Sequence, residues 1–232
     1  MSLILIGGDA SPEIGGFLSR NGFRVLRLPS FYLLDGPVST HPDILCFPLD
    51  GKIVMSGEYF SLNHGIFGEI EDLVTTVPDR PHSPYPYDVC FDALRVGHHL
   101  IGSEKHISGY LKERFDVIHV NQGYARCSAA RLSDDAFITA DSGICRALRS
   151  LGKDVLEITP GHVLLDGYSC GFIGGAGGLL DDGTYLFFGD PLTHPDGEKM
   201  LGFAHGHNIK TASLQGRLRD CGSLTCIGRS VR

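Results

Sequence analysis

His41 and Asp43 stand two residues apart, a spacing that on a strand puts both side chains on one face. Such a pair can orient an imidazole and set its charge, as general acid–base chemistry requires. The surrounding Ser-Thr-His-Pro-Asp is rich in turn formers, and Pro42 restricts His41, so the segment also reads as a turn. The second reactive candidate is Cys226, in DCGSLTCI (220–227). A thiol becomes a nucleophile at neutral pH only with a base, a positive charge or a helix N-terminus beside it. Free cysteines are more often small core residues. Cys46, Cys90, Cys127 and Cys170 fall on comparable strands, so packing is the competing reading for Cys226.

Three further stretches could bind rather than react. GFIGGAGG (171–178) places five glycines in eight residues of an expected strand. Glycine weakens a strand unless another backbone or a ligand must come close. Tight packing of inner strands and a ligand pressed against Gly174 and Gly175 are both open. No helix begins there, so it is not a dinucleotide fingerprint. In NQGYARC (121–127), Asn121 and Gln122 could donate to a substrate carboxylate and Arg126 could clamp it bidentately. The plainer role for such residues is to satisfy turn backbone. Asp190, His194 and Asp196 in GDPLTHPDG offer oxygen and nitrogen ligands, but Pro195 and the turn context favour a helix cap and loop. No metal and no cofactor is expected.

The elements that hold these residues repeat. An apolar pair, small residues and an acid recur as LIGGD, VMSGE, LIGSE, ITAD and FFGD, ending in Asp9, Glu58, Glu104, Asp141 and Asp190. The acids suit helix starts, where a carboxylate caps free N–H groups. Ile144, Ala147, Leu148 and Leu151 then follow helical spacing, and Asn21-Gly22 and Gly152 supply stops. A strand follows each helix: FRVLRLP, LVTTV, DVIHV, DVLEI and IKTASL. Another precedes each acid: DILCFPL, YDVCFDALRV, YARCSAARL and YSCGFIGGAGGLL. Only the first unit lacks its leading strand, and a surplus strand lies at 220–228. The predicted fold is α/β: one domain, 1–232, of five ββαβ units in a ring, closed where the N- and C-terminal strands pair.

Five such units about a pseudo-five-fold axis resemble the guanidino-modifying enzyme (pentein) fold. That family includes arginine and agmatine deiminases, dimethylarginine hydrolases, glycine amidinotransferase and a non-catalytic ribosome anti-association factor. The resemblance covers the whole chain in architecture. DCGSLTCI resembles the family's nucleophile strand and puts Cys226 at the nucleophile position; HPDILCFPL resembles its His-x-Asp strand, with His41 and Asp43 as the pair. Here that pair lies in the second unit, earlier than is usual, and the family's glutamate has no clear counterpart. The resemblance implies an uncharacterised, bacterial branch that binds a small molecule or partner at the ring axis without established catalysis. The alternative is a cysteine-dependent hydrolase or transferase acting on a guanidino or amidino group.

Composition narrows the partners. The 232 residues are 42% hydrophobic and 20% charged, with net charge −7, and no Lys/Arg run exceeds two residues. Nucleic-acid binding is therefore not expected, whereas an acidic chain suits a small cationic ligand such as a guanidino compound. The start lacks a signal-peptide pattern and no apolar run is long enough to span a membrane. Seven cysteines without C-x-x-C spacing point to reduced thiols and a cytoplasmic location.

Overall fold

The computed structural model describes residues 2–227. It contains five three-stranded sheets, each built the same way. In the second unit, β3 (Cys46–Leu49) runs antiparallel to β4 (Lys52–Ser56), which runs parallel to β5 (Val74–Val77). The third has β6 (Leu94–Val96), β7 (His99–Gly102) and β8 (Asp116–His119). The fourth has β9 (Ala129–Arg131), β10 (Ala136–Thr139) and β11 (Asp154–Glu157), and the fifth β12 (Gly177–Leu179), β13 (Thr184–Phe187) and β14 (Lys210–Ser213).

The remaining sheet takes strands from both ends of the chain. β1 (Leu3–Gly7) lies parallel to β2 (Arg24–Leu28) and antiparallel to β15 (Thr225–Ile227), with Leu3 opposite Ile227, Ile4 opposite Cys226 and Leu5 opposite Thr225. Each sheet is open, with its middle strand paired on both sides. That middle strand is the most apolar, since a strand covered on both faces carries a continuous hydrophobic run. All of LILIG in β1 and AFIT in β10 is buried, whereas the third strands β2, β8, β11 and β14 carry exposed positions.

Helices pack over these sheets where the sequence supplies caps and an apolar face. In α1 (Pro12–Arg20) the Ser11 hydroxyl accepts from the Glu13 N–H, Pro12 sits in the first turn, and Ile14 and Leu18 are buried. The helix Ser142–Ser150 is capped by Asp141, whose carboxylate accepts from Ile144 N–H at 2.8 Å, and it buries Ile144, Cys145, Ala147 and Leu148. Among the described residues no helix is long and apolar enough to cross a membrane.

The acid phrases are less uniform than expected. Asp141 caps an α-helix and Asp190 a short 3-10 turn, Pro191–Thr193. Asp9 instead accepts from Thr40, and Glu58 lies inside the helix Gly57–Leu62, where Tyr32 and Arg80 hold it. The third unit's helix is the single turn Gly109–Lys112, with Ser108 and not Glu104 at its N-cap. The leading strands are also shorter than predicted. DILCFPL begins as a helical turn, Pro42–Leu45, and only its second half is β3. Cys90, Cys127 and Cys170 precede their strands in turns and loops. Side chains there turn inward to one another, and backbone groups bond across units: Asp43 N–H to Gly222 O, Ala125 N–H to Asp92 O, Gly175 N–H to Cys127 O, and both Cys221 and Ser223 N–H to Gly175 O.

Candidate functional site

These inner turns gather a buried polar centre. His41 comes immediately before the helical turn Pro42–Leu45 and Asp43 lies within it, so the pair belongs to a helix start and not to a strand face. Both are buried, with Asp43 fully so. The His41 Nδ1 atom is 3.9 Å from Asp43 Oδ1 and 3.9 Å from Asp220 Oδ1. Asp220 accepts from Gly222 N–H at 3.0 Å, Phe172 N–H at 2.8 Å and the Cys127 thiol at 3.3 Å. Asp92 accepts on one oxygen from Arg126 and Cys127 N–H, at 2.7 and 3.0 Å, while its other oxygen has no partner among the described residues. Neither Asp43 oxygen has one. The Cys127 thiol has a single proton, which it gives to Asp220.

Electrostatics follow from that crowding. Burial holds the Asp92 carboxyl well above the usual carboxylate range, reinforced by the charge of Asp43. Asp220 is raised for the same first reason, with His41 acting against it. Burial also pushes the Cys127 thiol upward, with Asp220 next.

Gly174 and Gly175 make room for this centre. A Cβ on Gly175 would overlap the Asp220 carboxylate, and one on Gly174 would come within 2.5–2.6 Å of the carbonyl oxygens of Arg126, Cys127 and Ala129. At both positions, protein fills the space that a side chain would take.

Beside the centre lies an open cleft of about 440 Å³. It is lined by residues of the five leading strands, from Phe47 on β3 to Cys226 on β15. Gly174 and the Arg126 side chain border it too. The guanidinium donates to Cys46 O at 2.9 Å, Thr225 Oγ1 at 2.6 Å and Leu224 O at 3.4 Å, which ties three strand ends together and spends donors that a ligand could have used. The other lining arginines are engaged as well. Arg131 pairs with Asp134, and Arg95 pairs with Asp50 at 3.1 Å and covers the Phe115 ring. Three polar atoms of the lining are left over: Asp181 Oδ2, the Tyr185 hydroxyl and the Arg131 Nε are buried and without hydrogen-bond partners among the described residues.

Cys226 borders the cleft with its thiol 3.5 Å from Leu179 O. Burial, and then the Asp181 charge, push that thiol up to about 12. Among the described residues no histidine lines the cleft, so His41 and Cys226 are not brought together. Asn121 is exposed and does not line it, and Gln122 accepts from Tyr124 N–H in a turn. The Asp190, His194 and Asp196 set is committed elsewhere. Asp190 caps, His194 bonds Thr159 O and accepts from Asp196 N–H, and Asp196 holds Thr159 N–H and Lys199.

The sequence reading missed Asp92, Cys127, Asp181, Tyr185 and Asp220. A signal did exist for part of the centre: Asp92, Cys127 and Gly175 each stand two residues before their leading strand, an equivalence visible once the units are aligned on strand starts.

Five sheets in strand–strand–helix–strand order, joined through such inner turns, define the guanidino-modifying enzyme fold, and solved structures of that class superpose on the chain. SxtG, an amidinotransferase from Microseira wollei in the saxitoxin biosynthetic pathway, is 12% identical with a TM-score of 0.55, covering 95% of this chain and 79% of its own. A dimethylarginine dimethylaminohydrolase adduct with S-methyl-L-thiocitrulline is 11% identical with a TM-score of 0.57, covering 97% and 99%. A C. jejuni agmatine deiminase with substrate bound is 11% identical with a TM-score of 0.57, covering 99% and 83%. At these identities the likeness concerns the fold. The chain belongs to DUF6873, a family of unknown function, whose profile matches residues 5–225. No curated protein matches it.

Proposed function

We propose that the five sheets surround one axis as a closed ring, and that the cleft beside Cys226 binds a small guanidino- or amidino-bearing molecule without forming a covalent bond to that thiol. One observation carries the reading: among the described residues Asp181 Oδ2 is buried and unpartnered at the cleft wall, as is the Tyr185 hydroxyl. A buried acceptor left unmade costs roughly 1–3 kcal/mol, which a ligand N–H would recover. A planar cation with several N–H donors suits a carboxylate with a free oxygen. The superposing proteins include complexes with S-methyl-L-thiocitrulline and with an agmatine deiminase's substrate, which makes this ligand class the first to test. Calorimetric titration with arginine and agmatine should show saturable binding of at least one, weakened about tenfold or more by Asp181→Asn, the ~1.4 kcal/mol scale of a lost charged hydrogen bond, while citrulline, whose ureido group is neutral, should bind more weakly. Cys226→Ser should leave that affinity unchanged. Binding indifferent to Asp181 would refute the assignment.

The enzymatic alternative draws support from one fact, that Cys226 borders the same cleft as Asp181. It needs a thiolate, which burial and Asp181 both oppose. A haloacetamidine that labelled Cys226 rapidly, and was blocked by arginine, would favour this second reading over simple binding.

A further inference from the structure

The polar centre poses a charge problem that the cleft does not answer. Three carboxylates, Asp43, Asp92 and Asp220, are buried together with one imidazole. Among the described residues no lysine or arginine forms an ion pair with any of them, since Arg126 directs its guanidinium to carbonyls and Thr225. Buried charges are ordinarily paired or bound to a metal. Asp43 is the sharpest case, fully buried and with neither oxygen hydrogen-bonded among the described residues, yet its carboxylate points at His41.

We infer that His41, Asp43 and Asp220 form a binding site for a divalent transition-metal ion of the zinc class. One ligand atom from each lies within 4.8 Å of the others. Tetrahedral ligands about 2.0–2.1 Å from zinc stand roughly 3.4 Å apart, so the two 3.9 Å separations from His41 need close by about half an ångström, and the Asp43–Asp220 separation, within 4.8 Å, closes with them. One nitrogen and two carboxylate oxygens suit zinc, whose other common ligand, a cysteine sulfur, is at hand in Cys127 beside Asp220 and Asp43. The outer shell exists too: Asp220 is fixed by Gly222 and Phe172 N–H groups, as metal-bound carboxylates usually are. The ion's position in the chain gives it a purpose. His41 and Asp43 precede β3 while Asp220 precedes β15, so bound metal clamps the second unit's inner turn to the C-terminal strand and couples binding to folding.

The test uses the full chain, purified without a histidine tag from zinc-supplemented cells. Elemental analysis should find about one zinc per chain. A strong chelator should lower the melting temperature, and zinc sulfate should restore it while magnesium sulfate does not. Asp43→Asn, close to isosteric, should reduce zinc affinity by at least the ~10–100-fold that losing an outer-shell partner costs. Asp190→Asn, in the acidic loop, should change nothing. Should Asp43→Asn fail to fold, cobalt titration of the native chain serves instead: visible d–d bands are expected, and competition by zinc should abolish them. A chain that carries no zinc and neither gains melting temperature from it nor shows cobalt bands overturns the assignment. So does zinc content that falls with Asp190→Asn and not with Asp43→Asn.

Discussion

The sealed polar centre and the open cleft share residues and neighbours but solve opposite problems. In the centre, acids outnumber bases and two side chains, Asp43 and Asp92, keep unpartnered oxygens without solvent. In the cleft, arginines outnumber acids, and each has found a partner in the protein. Arg126 links the two, with its N–H on Asp92 and its guanidinium on the strand ends that border the cleft. The difference teaches where stability and where recognition reside. Groups committed to one another in the dry interior fix the inner turns, while among the described residues Asp43 and Asp92 in the centre, and Asp181, Tyr185 and the Arg131 Nε at the cleft wall, keep unused hydrogen-bonding capacity.

The largest effect that can break this comparison is Gly175→Ala. The added methyl overlaps an Asp220 carboxylate that three donors hold in place, so neither partner can withdraw cheaply. Overpacking a core ordinarily costs about 1–3 kcal/mol, and this site should exceed the upper end or abolish soluble expression. Urea unfolding measures it. A midpoint within error of wild type would mean that the inner turns are loosely packed and that the centre is not sealed.

Next in size is Arg126→Gln. It removes the donors from Cys46 O, Leu224 O and Thr225 Oγ1 together, and unmade buried partners cost roughly 1–3 kcal/mol. A loss of about 2–3 kcal/mol in the same unfolding measurement is expected. A loss of less than half a kcal/mol would mean that water replaces the guanidinium and that the boundary between centre and cleft is wet.

Alkaline stability separates the buried thiols from exposed ones. The native Cys226 thiol is pushed up to about 12, against 9.0 for an unperturbed thiol. Between those values the unfolded chain has lost the proton and the native chain retains it, so stability falls as pH rises above about 9 and is untouched below 8. One such thiol should cost about 1.4 kcal/mol between pH 8 and pH 10. Cys46, at about 11, and Cys221, at about 12, act in the same direction. Cys226→Ser should flatten the slope by one thiol's share. If the slope does not change, Cys226 ionises as readily in the native protein as in the unfolded one, and the enzymatic alternative regains ground.

Much of the architecture was legible because it rests on local signals. The five apolar middle strands and the stops at Asn21-Gly22 and Gly152 follow from patterns within one unit, and the pairing of 3–5 with 225–227 follows from comparing units, since the first lacks a leading strand and a surplus strand lies at the other end. The inner turns were not legible in that way. The glycines at 174 and 175 read as packing or ligand signals, because what they answer to is a contact with Asp220 or a carbonyl some forty-five or more positions away. The thiol of Cys127 read as packing for the same reason: its partner is Asp220, in another unit. His41 and Asp43 were found from their types and spacing, but their third partner was not. Cys226 was placed at the cleft by its resemblance to a nucleophile strand, whereas its raised thiol comes from burial and Asp181, which that motif does not encode.

The smallest expected effect tests the cleft wall. Arg131 and Asp134 form an ion pair there with side chains 37% and 57% exposed, and both residues line the opening. Water already solvates them, so pairing gains little and holding two side chains in one geometry costs entropy. Asp134→Ala should therefore change unfolding free energy by no more than about 0.5 kcal/mol, and less still in 0.5 M salt. The same substitution frees the Arg131 guanidinium to face the opening. Weaker binding of a cationic ligand should follow, by a few-fold at low ionic strength and by nothing at high salt. An unfolding loss above 1 kcal/mol would show that the wall is as tightly committed as the centre, and the contrast between a structural interior and a receptive cleft would have to be abandoned.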